Sequence, residues 1–462
     1  MKLFNLHVPL ASVMLGLADA LLLYAAMAAG LALSYSHFSA IFGGNSLQMA
    51  QAFFFVLTLI MFMFIMGLYH RQYLTDTKVA FLRLLISFGL AMCFMSLVFY
   101  VLPDLRIWLS ALLPSLFFGF CGVLALREVF MRLSSTAAFK RRVLVLGTGA
   151  SAGRIAELET ADSPGGFVCL GFLPIGGCNS SIPEDRLIRE NLSLPELARR
   201  LHTDEIVAAL EDRRLTLPMD DLLQCRLHGI NVVNFSTFVE RQTGQVELQS
   251  LYPSWLVFSE GFSGGSTVQR VAKRGFDVVV SILFLLVTMP LIALTALLIH
   301  AEDRGPVFYR QERVGRQGRT FYVLKFRSMR VDAERDGVAR WAQVKDPRVT
   351  RIGAFIRNVR IDEIPQIINV LRGEMSFVGP RPERPSMVAE LREHIPFFDC
   401  RHMVKPGITG WAQINYPYGA SLHDAREKLK YDMYYIKNYS LFLDFIVILQ
   451  TVRVVLWPHG VR

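Results

Sequence analysis

The sequence predicts a membrane protein of mixed class: a bundle of transmembrane helices, then an α/β domain, then a basic, mainly helical domain entered through one more apolar helix. Three observations predict this. Hydrophobic residues make up 52% of the 462, with a mean hydropathy of +0.36, above the ~45–50% apolar content of soluble chains, and the excess lies in long uncharged blocks. At Arg141 the texture changes to short apolar runs separated by glycine turns. The formal charge of +10 is uneven, +11 on residues 263–462 and −1 on everything before.

A chain of this length exceeds one ordinary core, so two or three domains are expected. Apolar stretches near 10–33, 47–68, 84–102 and 107–126 each approach the ~20 residues that cross a bilayer as helix. The connection over 34–46 has no Lys or Arg, the next carries Arg71, Lys78 and Arg83, and after the fourth stretch come Arg127, Arg132, Lys140, Arg141 and Arg142. Basic residues stay on the cytoplasmic side, which puts both ends of a four-helix bundle there. The first run continues past Gly30 and is followed by others of its kind, so it does not read as a cleaved signal. Cysteines without a C-x-x-C and histidines without an H-x-x-x-H argue for reduced thiols and against zinc.

From residue 143 an apolar strand runs into Gly147-Thr148-Gly149-Ala150-Ser151-Ala152-Gly153, the form of the first β-α turn of a Rossmann-like unit. The third glycine comes one residue late, and Gly165-Gly166 stand where an acidic residue would bind a ribose. Two readings follow: a degenerate fold kept for packing, regulation or dimerisation, or a working cofactor site. The alternation continues through 205–210 and 230–235 and closes near Ser259.

Residues 276–299 form a fifth apolar run, interrupted by Pro290. Lys273 and Arg274 precede it, and Arg304, Arg310, Arg313, Arg316 and Arg319 follow, so the charge rule puts both ends on one side. A helix that enters the bilayer and turns back satisfies this, and Pro290, which leaves the Leu286 carbonyl without its helical partner, supplies the bend. The alternative is a kinked ordinary span, with the C-terminal domain outside the cell. A basic domain attached to membrane helices meets anionic lipid and phosphorylated substrates rather than nucleic acid.

That domain holds Lys325-Phe326-Arg327-Ser328-Met329, then the dense stretch 357–382, then 405–413 (KPGITGWAQ). Asp362 stands before a helical pattern of Ile364, Ile367, Ile368 and Leu371 that stops at Gly373, which predicts Asp362 at or beside the N-cap with Pro365 in the first turn. Amides at a helix start hold an aspartate ionised and favour phosphate, and a positioned carboxylate is a nucleophile toward phosphorus. Glu363, about 100° round the helix, is a candidate Mg²⁺ ligand beside a diphosphate. Arg357, Arg360 and Arg381 match phosphate oxygens. The plainer reading is a capped helix with a surface ion pair. Lys273 and Arg274 suit either a lipid phosphate or interfacial anchoring. Tyr431, Tyr434, Tyr435 and Tyr439, before the apolar stretch 441–456, suit a helix on the bilayer surface or core packing.

These residues closely resemble the bacterial sugar transferases, the polyprenyl-phosphate glycosyl-1-phosphate transferases that begin exopolysaccharide and O-antigen assembly. The resemblance runs from about Val271 to Val455 through K-R-x-x-D (Lys273, Arg274, Asp277), the helix-breaking proline, K-F-R-S-M, R-x-x-x-x-D-E, P-Q-x-x-N-V-L-x-G-x-M-S-x-V-G-P-R-P and K-P-G-I-T-G-W-A-Q. It implies three domains: a four-helix transmembrane bundle over 1–135, a Rossmann-like domain over 140–262, and a mostly α monotopic catalytic domain over 268–462 with the re-entrant helix. It also implies a homodimer in the bacterial inner membrane with both non-membrane domains cytoplasmic. The segment 416–421 and the ending 456–462 resemble an exosortase-associated exopolysaccharide branch.

The resemblance further implies a mechanism. Asp362 attacks the phosphate next to the sugar of a UDP-sugar, expels UMP and carries the phosphosugar until undecaprenyl phosphate takes it. Glu363 binds Mg²⁺, Arg357 and Arg381 stabilise phosphate charge, Pro290 sets the bend, and Lys325, Arg327, Lys273, Arg274 and Gln413 serve substrate binding. Many relatives carry Asn-Gly-Arg after the A-Q motif, whereas here Tyr416-Pro417 follow Asn415, so a basic group is missing. A dehydratase or epimerase using the Gly147 turn would need Y-x-x-x-K, but residues 141–262 hold one tyrosine, Tyr252, with Leu256 four positions on. A catalytically silent scaffold is opposed by the intact carboxylate pair among phosphate-binding basics.

Overall fold

The structure, a computed structural model, describes residues 2–3, 6–7, 10–34, 46–69, 77–134, 140–160, 166–175, 181–190, 192–210, 217–248, 251, 256, 261–262, 266–331, 348–417, 419 and 421–456. The expectations that fall on the 35–45 connection, Arg71, Gly165, Cys178, Tyr252, Ser259, Tyr418, Ala420 and the ending beyond Leu456 lie outside these residues. The chain divides into two compact units, essentially 7–242 and 243–462.

The first unit begins with four helices, α1 (Leu10–Ser34), α2 (Ser46–Ile65), α3 (Thr77–Val101) and α4 (Leu109–Ser134). All four are long and apolar enough to cross a membrane. Their exposed faces are apolar too, Leu21 at 73% and Phe53 at 68%, the inverse of a water-soluble bundle and what lipid as solvent permits. Helix α1 packs chiefly on α4. The approach is close because the contact is made of small residues: a Cβ added at Gly30 would meet Ser115 and lie 2.7 Å from the Ala111 carbonyl, the packing that small side chains allow. Asp19 and Arg127 are both buried and paired at 2.6 Å. The Tyr69 hydroxyl donates to the same Asp19 oxygen at 2.8 Å, and the Arg127 guanidinium lies 5.1 Å from the Tyr69 ring centroid.

The same unit carries a parallel sheet of β1 (Arg141–Leu146), β2 (Phe167–Leu173), β3 (Glu205–Ala208) and β4 (Asn231–Asn234) in the order β2-β1-β3-β4. Val143 to Leu146 on β1 are fully buried, as a parallel strand covered on both faces requires. Helices α5 (Ala150–Thr160), α6 (Leu194–Arg200), α7 (Met219–Leu227) and α8 (Phe235–Thr243) alternate with the strands, the α/β alternation expected. Gly147, at φ +114°, is required where it stands, since a Cβ there would lie 2.6 Å from the Ala209 carbonyl. Thr148 is buried and its carbonyl accepts the Ser181 amide at 2.8 Å.

The second unit opens with the 37-residue helix α9 (Thr267–Asp303), capped by Ser266 and Gln269 and stopped at a left-handed Arg304. Pro290 lies inside it and the helix continues through, beyond both ends of the apolar run. There follow an antiparallel hairpin, β5 (Phe308–Val314) and β6 (Thr320–Phe326), then α10 (Arg351–Asn358), a 3-10 segment (Ile361–Gln366) and α11 (Ile367–Arg372). Next come β7 (Ser376–Val378), α12 (Pro385–His394) and β8 (Gly407–Thr409), which pairs parallel with β7. The unit ends in α13 (Trp411–Asn415), α14 (Leu422–Lys437) and α15 (Leu441–Leu456). The tyrosine-rich run is core rather than a surface belt. Tyr434 and Tyr435 are buried, Trp411 stacks on Tyr434, and the Tyr435 hydroxyl donates to Asp444 at 2.7 Å.

Candidate active site

The stretch RIDEIPQ does not open an α-helix as its pattern predicts. Pro365 has no N–H to close the first turn, and residues 361–366 tighten into a 3-10 segment, a form used in short pieces at helix ends. Asp362 therefore caps nothing and lies inside the turn. Arg360, just before it, is held in the left-handed region at φ 61°, where a non-glycine residue carries strain of ~1–3 kcal/mol. The stop at Gly373 is as expected, with φ +87°.

Two segments bring charge to this turn. Lys325 on β6 reaches Glu363 Oε1 at 3.0 Å, and Arg381, just past β7, reaches the same oxygen at 2.7 Å and Oε2 at 3.5 Å. The strand is held in place by Asn369 on α11, whose Oδ1 accepts the Leu324 amide at 3.0 Å while its Nδ2 donates to the Tyr322 carbonyl at 2.8 Å. Arg401 Nη2 donates to the Arg381 carbonyl at 2.8 Å and pairs with Asp432 at 3.0 Å.

The two carboxyls are driven apart. Burial opposes the Glu363 charge, but Arg381 and Lys325 outweigh it and hold the group well below the usual range. Burial and the neighbouring Glu363 anion raise Asp362, against Lys325, Arg360 and Arg357. The expected depression of Asp362 by helix amides is thus replaced by an upward shift, because the turn supplies no cap. Asp362 Oδ1 is buried with no hydrogen-bond partner among the described residues. An unsatisfied buried carboxylate oxygen beside a clamped one is costly, the kind of cost that marks a functional site.

Of the other candidates, Arg357 in the last turn of α10 and Arg360 act on Asp362 through space. Arg327 is buried and paired with Asp303 at the end of α9, which ties the hairpin to that helix. Lys273 pairs with Asp444 at 2.7 Å and lies 3.6 Å from Asp277. Arg274 donates to the carbonyls of Val370 and Leu371 at 2.5 and 2.6 Å, satisfying groups that a helix end leaves open. Gln413 donates to the Ile408 carbonyl at 3.2 Å, and its Oε1 is buried without a partner among the described residues. None of these last four contacts the Asp362–Glu363 pair. Asn369 and Arg401 position Lys325 and Arg381. Neither the N-V-L run that holds Asn369 nor the sequence around Arg401 carries a signal of such long-range roles. At the departure after Asn415, the Tyr416 hydroxyl donates to Asp424 at 3.0 Å.

The family model for bacterial sugar transferases matches residues 268–458. An Aeromonas hydrophila UDP-N-acetylgalactosamine-undecaprenyl-phosphate N-acetylgalactosaminephosphotransferase is 41% identical over 272 residues, 59% of this chain and 63% of the relative. A Komagataeibacter xylinus undecaprenyl-phosphate glucose phosphotransferase is 34% identical over 361 residues, 75% of this chain and 64% of the relative. An exopolysaccharide production protein of Rhizobium leguminosarum bv. phaseoli is 42% identical over 188 residues, 39% of this chain and 94% of the relative. The chain thus spans a little under two thirds of the length of the first two.

Proposed function

This chain belongs to the bacterial sugar transferase family, and on that premise we propose that it moves a sugar-1-phosphate from a UDP-sugar to undecaprenyl phosphate. The observation that carries the reading is the divided pair: Glu363 clamped by two cations, and half-buried Asp362 beside it with its Oδ1 buried and unpartnered among the described residues. In the proposed reaction an Asp362 oxygen bonds to the phosphorus next to the sugar, and the bond to the second phosphate breaks and UMP leaves. An oxygen of the lipid phosphate then attacks the same phosphorus and returns Asp362 as a carboxylate. Arg357 and Arg360 neutralise the phosphoryl oxygens as charge builds, and Lys325 and Arg381 keep Glu363 ionised and fixed.

Two hard carboxylate oxygens, Asp362 Oδ1 and the loosely held Glu363 Oε2, fit a magnesium ion. Such an ion would neutralise the diphosphate of the donor. The contacts of α9 support a re-entrant course. Asp277 near its start accepts from Ser376 and the Phe377 amide at 2.9 and 3.0 Å, while Glu302 at its end accepts the Arg351 amide at 2.9 Å. Both ends are thereby bonded to the same unit. Thr288 donates back to the Phe284 carbonyl at 2.7 Å just before Pro290, a contact that bends helices. The cytoplasmic face of the inner membrane, where UDP-sugars are made, is then the site of the reaction. The Rhizobium relative, an exopolysaccharide production protein, supports a product in exopolysaccharide assembly.

The test is UMP release from UDP-sugars by purified protein with Mg²⁺ and undecaprenyl phosphate. Asp362→Asn is expected to lower it by roughly a thousandfold or more. Near-normal turnover in that variant would sink the mechanism.

A further inference from the structure

Beside the first turns of α9 lies a cavity of about 140 Å³ walled by five cations: Arg270, Lys273 and Arg274 from α9, Arg316 from the hairpin turn and Lys405 from the K-P-G-I-T-G-W-A-Q motif. Asp277 is the one acid on the wall. The cations fall into two groups. Lys273 and Arg274 are engaged by Asp444, Asp277 and the α11 carbonyls. Arg270, Arg316 and Lys405 have no carboxylate partner among the described residues, and Arg316 Nε is buried without a hydrogen bond. Lys405 is close-set. A Cβ added at Gly373 would lie 3.6 Å from its Nζ and 3.7 Å from Arg274 Cζ. Burial and then Arg274 pull the Lys405 pKa down, with Arg316 adding to them against Asp277.

Five cations about one wall acid, three of them without a carboxylate partner among the described residues, leave an excess of positive charge that suits an anion. The size limits the anion. Pockets for drug-sized ligands run from about 300 Å³ upward, so this one admits a phosphate group and not a nucleotide-sugar. The place limits it further, since Val268 and Val271 beside Arg270 are 77% and 67% exposed on an apolar helix. We propose that this cavity is a second anion site, sharing no wall residue with the surroundings of Asp362, that takes a lipid phosphate head through Arg270, Arg316 and Lys405. If the lipid is the acceptor, the inference rests on the transfer reading; a phospholipid head would need no such reading.

The experiment is native mass spectrometry of the full chain in detergent, titrated separately with undecaprenyl phosphate, phosphatidylglycerol and inorganic phosphate. Wild type is expected to bind at least one of the two lipids. Arg316→Gln with Lys405→Gln is expected to weaken that binding by about tenfold to a hundredfold, and Lys405→Arg to retain it, which separates lost charge from lost fold. Loss confined to undecaprenyl phosphate assigns the site to the acceptor; loss of phosphatidylglycerol assigns it to a phospholipid. Binding of inorganic phosphate alone, or unchanged lipid binding in the double variant, overturns the proposal. Failure of the transfer reading looks different: no UMP release, with lipid binding intact.

Discussion

Replacing Glu363 with Gln removes the anion that raises Asp362 and releases Lys325 and Arg381 to act on it. Because the Asp362 pKa is raised in the folded protein, its ionised form, the nucleophile of the proposed reaction, is lost on acidification above the ordinary 3.8. Glu363→Gln is therefore expected to move the acid limb of the residual UMP-release rate to lower pH, and an unmoved limb would assign that limb to another group. Glu363 itself is depressed, so its ion pairs stabilise the fold above the ordinary 4.5 and that contribution goes as pH falls through the lower folded value. Motif density marked Asp362, Glu363, Lys325 and Arg381 in the sequence. Which cation meets which oxygen was not legible, since Lys325 is 38 residues from Glu363 and their approach is set through space, the brace of Asn369 on β6 included. Lys273 and Arg274 show the same limit: as residues they suit a lipid phosphate, and Asp444 and the end of α11 claim them.

Among the elements, α9 is the one whose sequence and contacts bear on topology together. Cysteines placed at Gly265 and Thr320 in a cysteine-free chain are expected to be labelled from the cytoplasmic face alike; labelling from opposite faces would establish a crossing helix instead. Its apolar run and basic flanks are readable from composition. The buried stripe of Lys273, Asp277, Ser281, Thr295 and Ile299 is not, because a polar residue in an apolar run acquires meaning only from the surface it faces. In the bundle, Asp19→Asn leaves Arg127 buried without a counter-charge, a change that costs about 3–5 kcal/mol. The expected readout is a lowered unfolding temperature in detergent with UMP release per folded molecule unchanged. A full loss of turnover at intact fold would instead tie the clasp to the chemistry.

For the whole molecule, the division into units places the carboxylate pair and the basic cavity together within 243–462, and the family match falls inside that unit. Residues 243–462 expressed alone in detergent are expected to release UMP, and a folded but inert preparation would show that the first unit takes part in catalysis. Composition and pattern sufficed for the helices long and apolar enough to cross a membrane and for the α/β alternation, and they marked the Asp362–Glu363 turn, because hydrophobic length, glycine turns and motif spacing are local properties of the chain. Tertiary structure alone decided that burial raises the Asp362 pKa, that Tyr434 and Tyr435 are core, and that Arg270, Arg316 and Lys405 share one cavity. The physical reason is common to all three: burial and Coulomb interactions depend on distances through space rather than on separation along the chain.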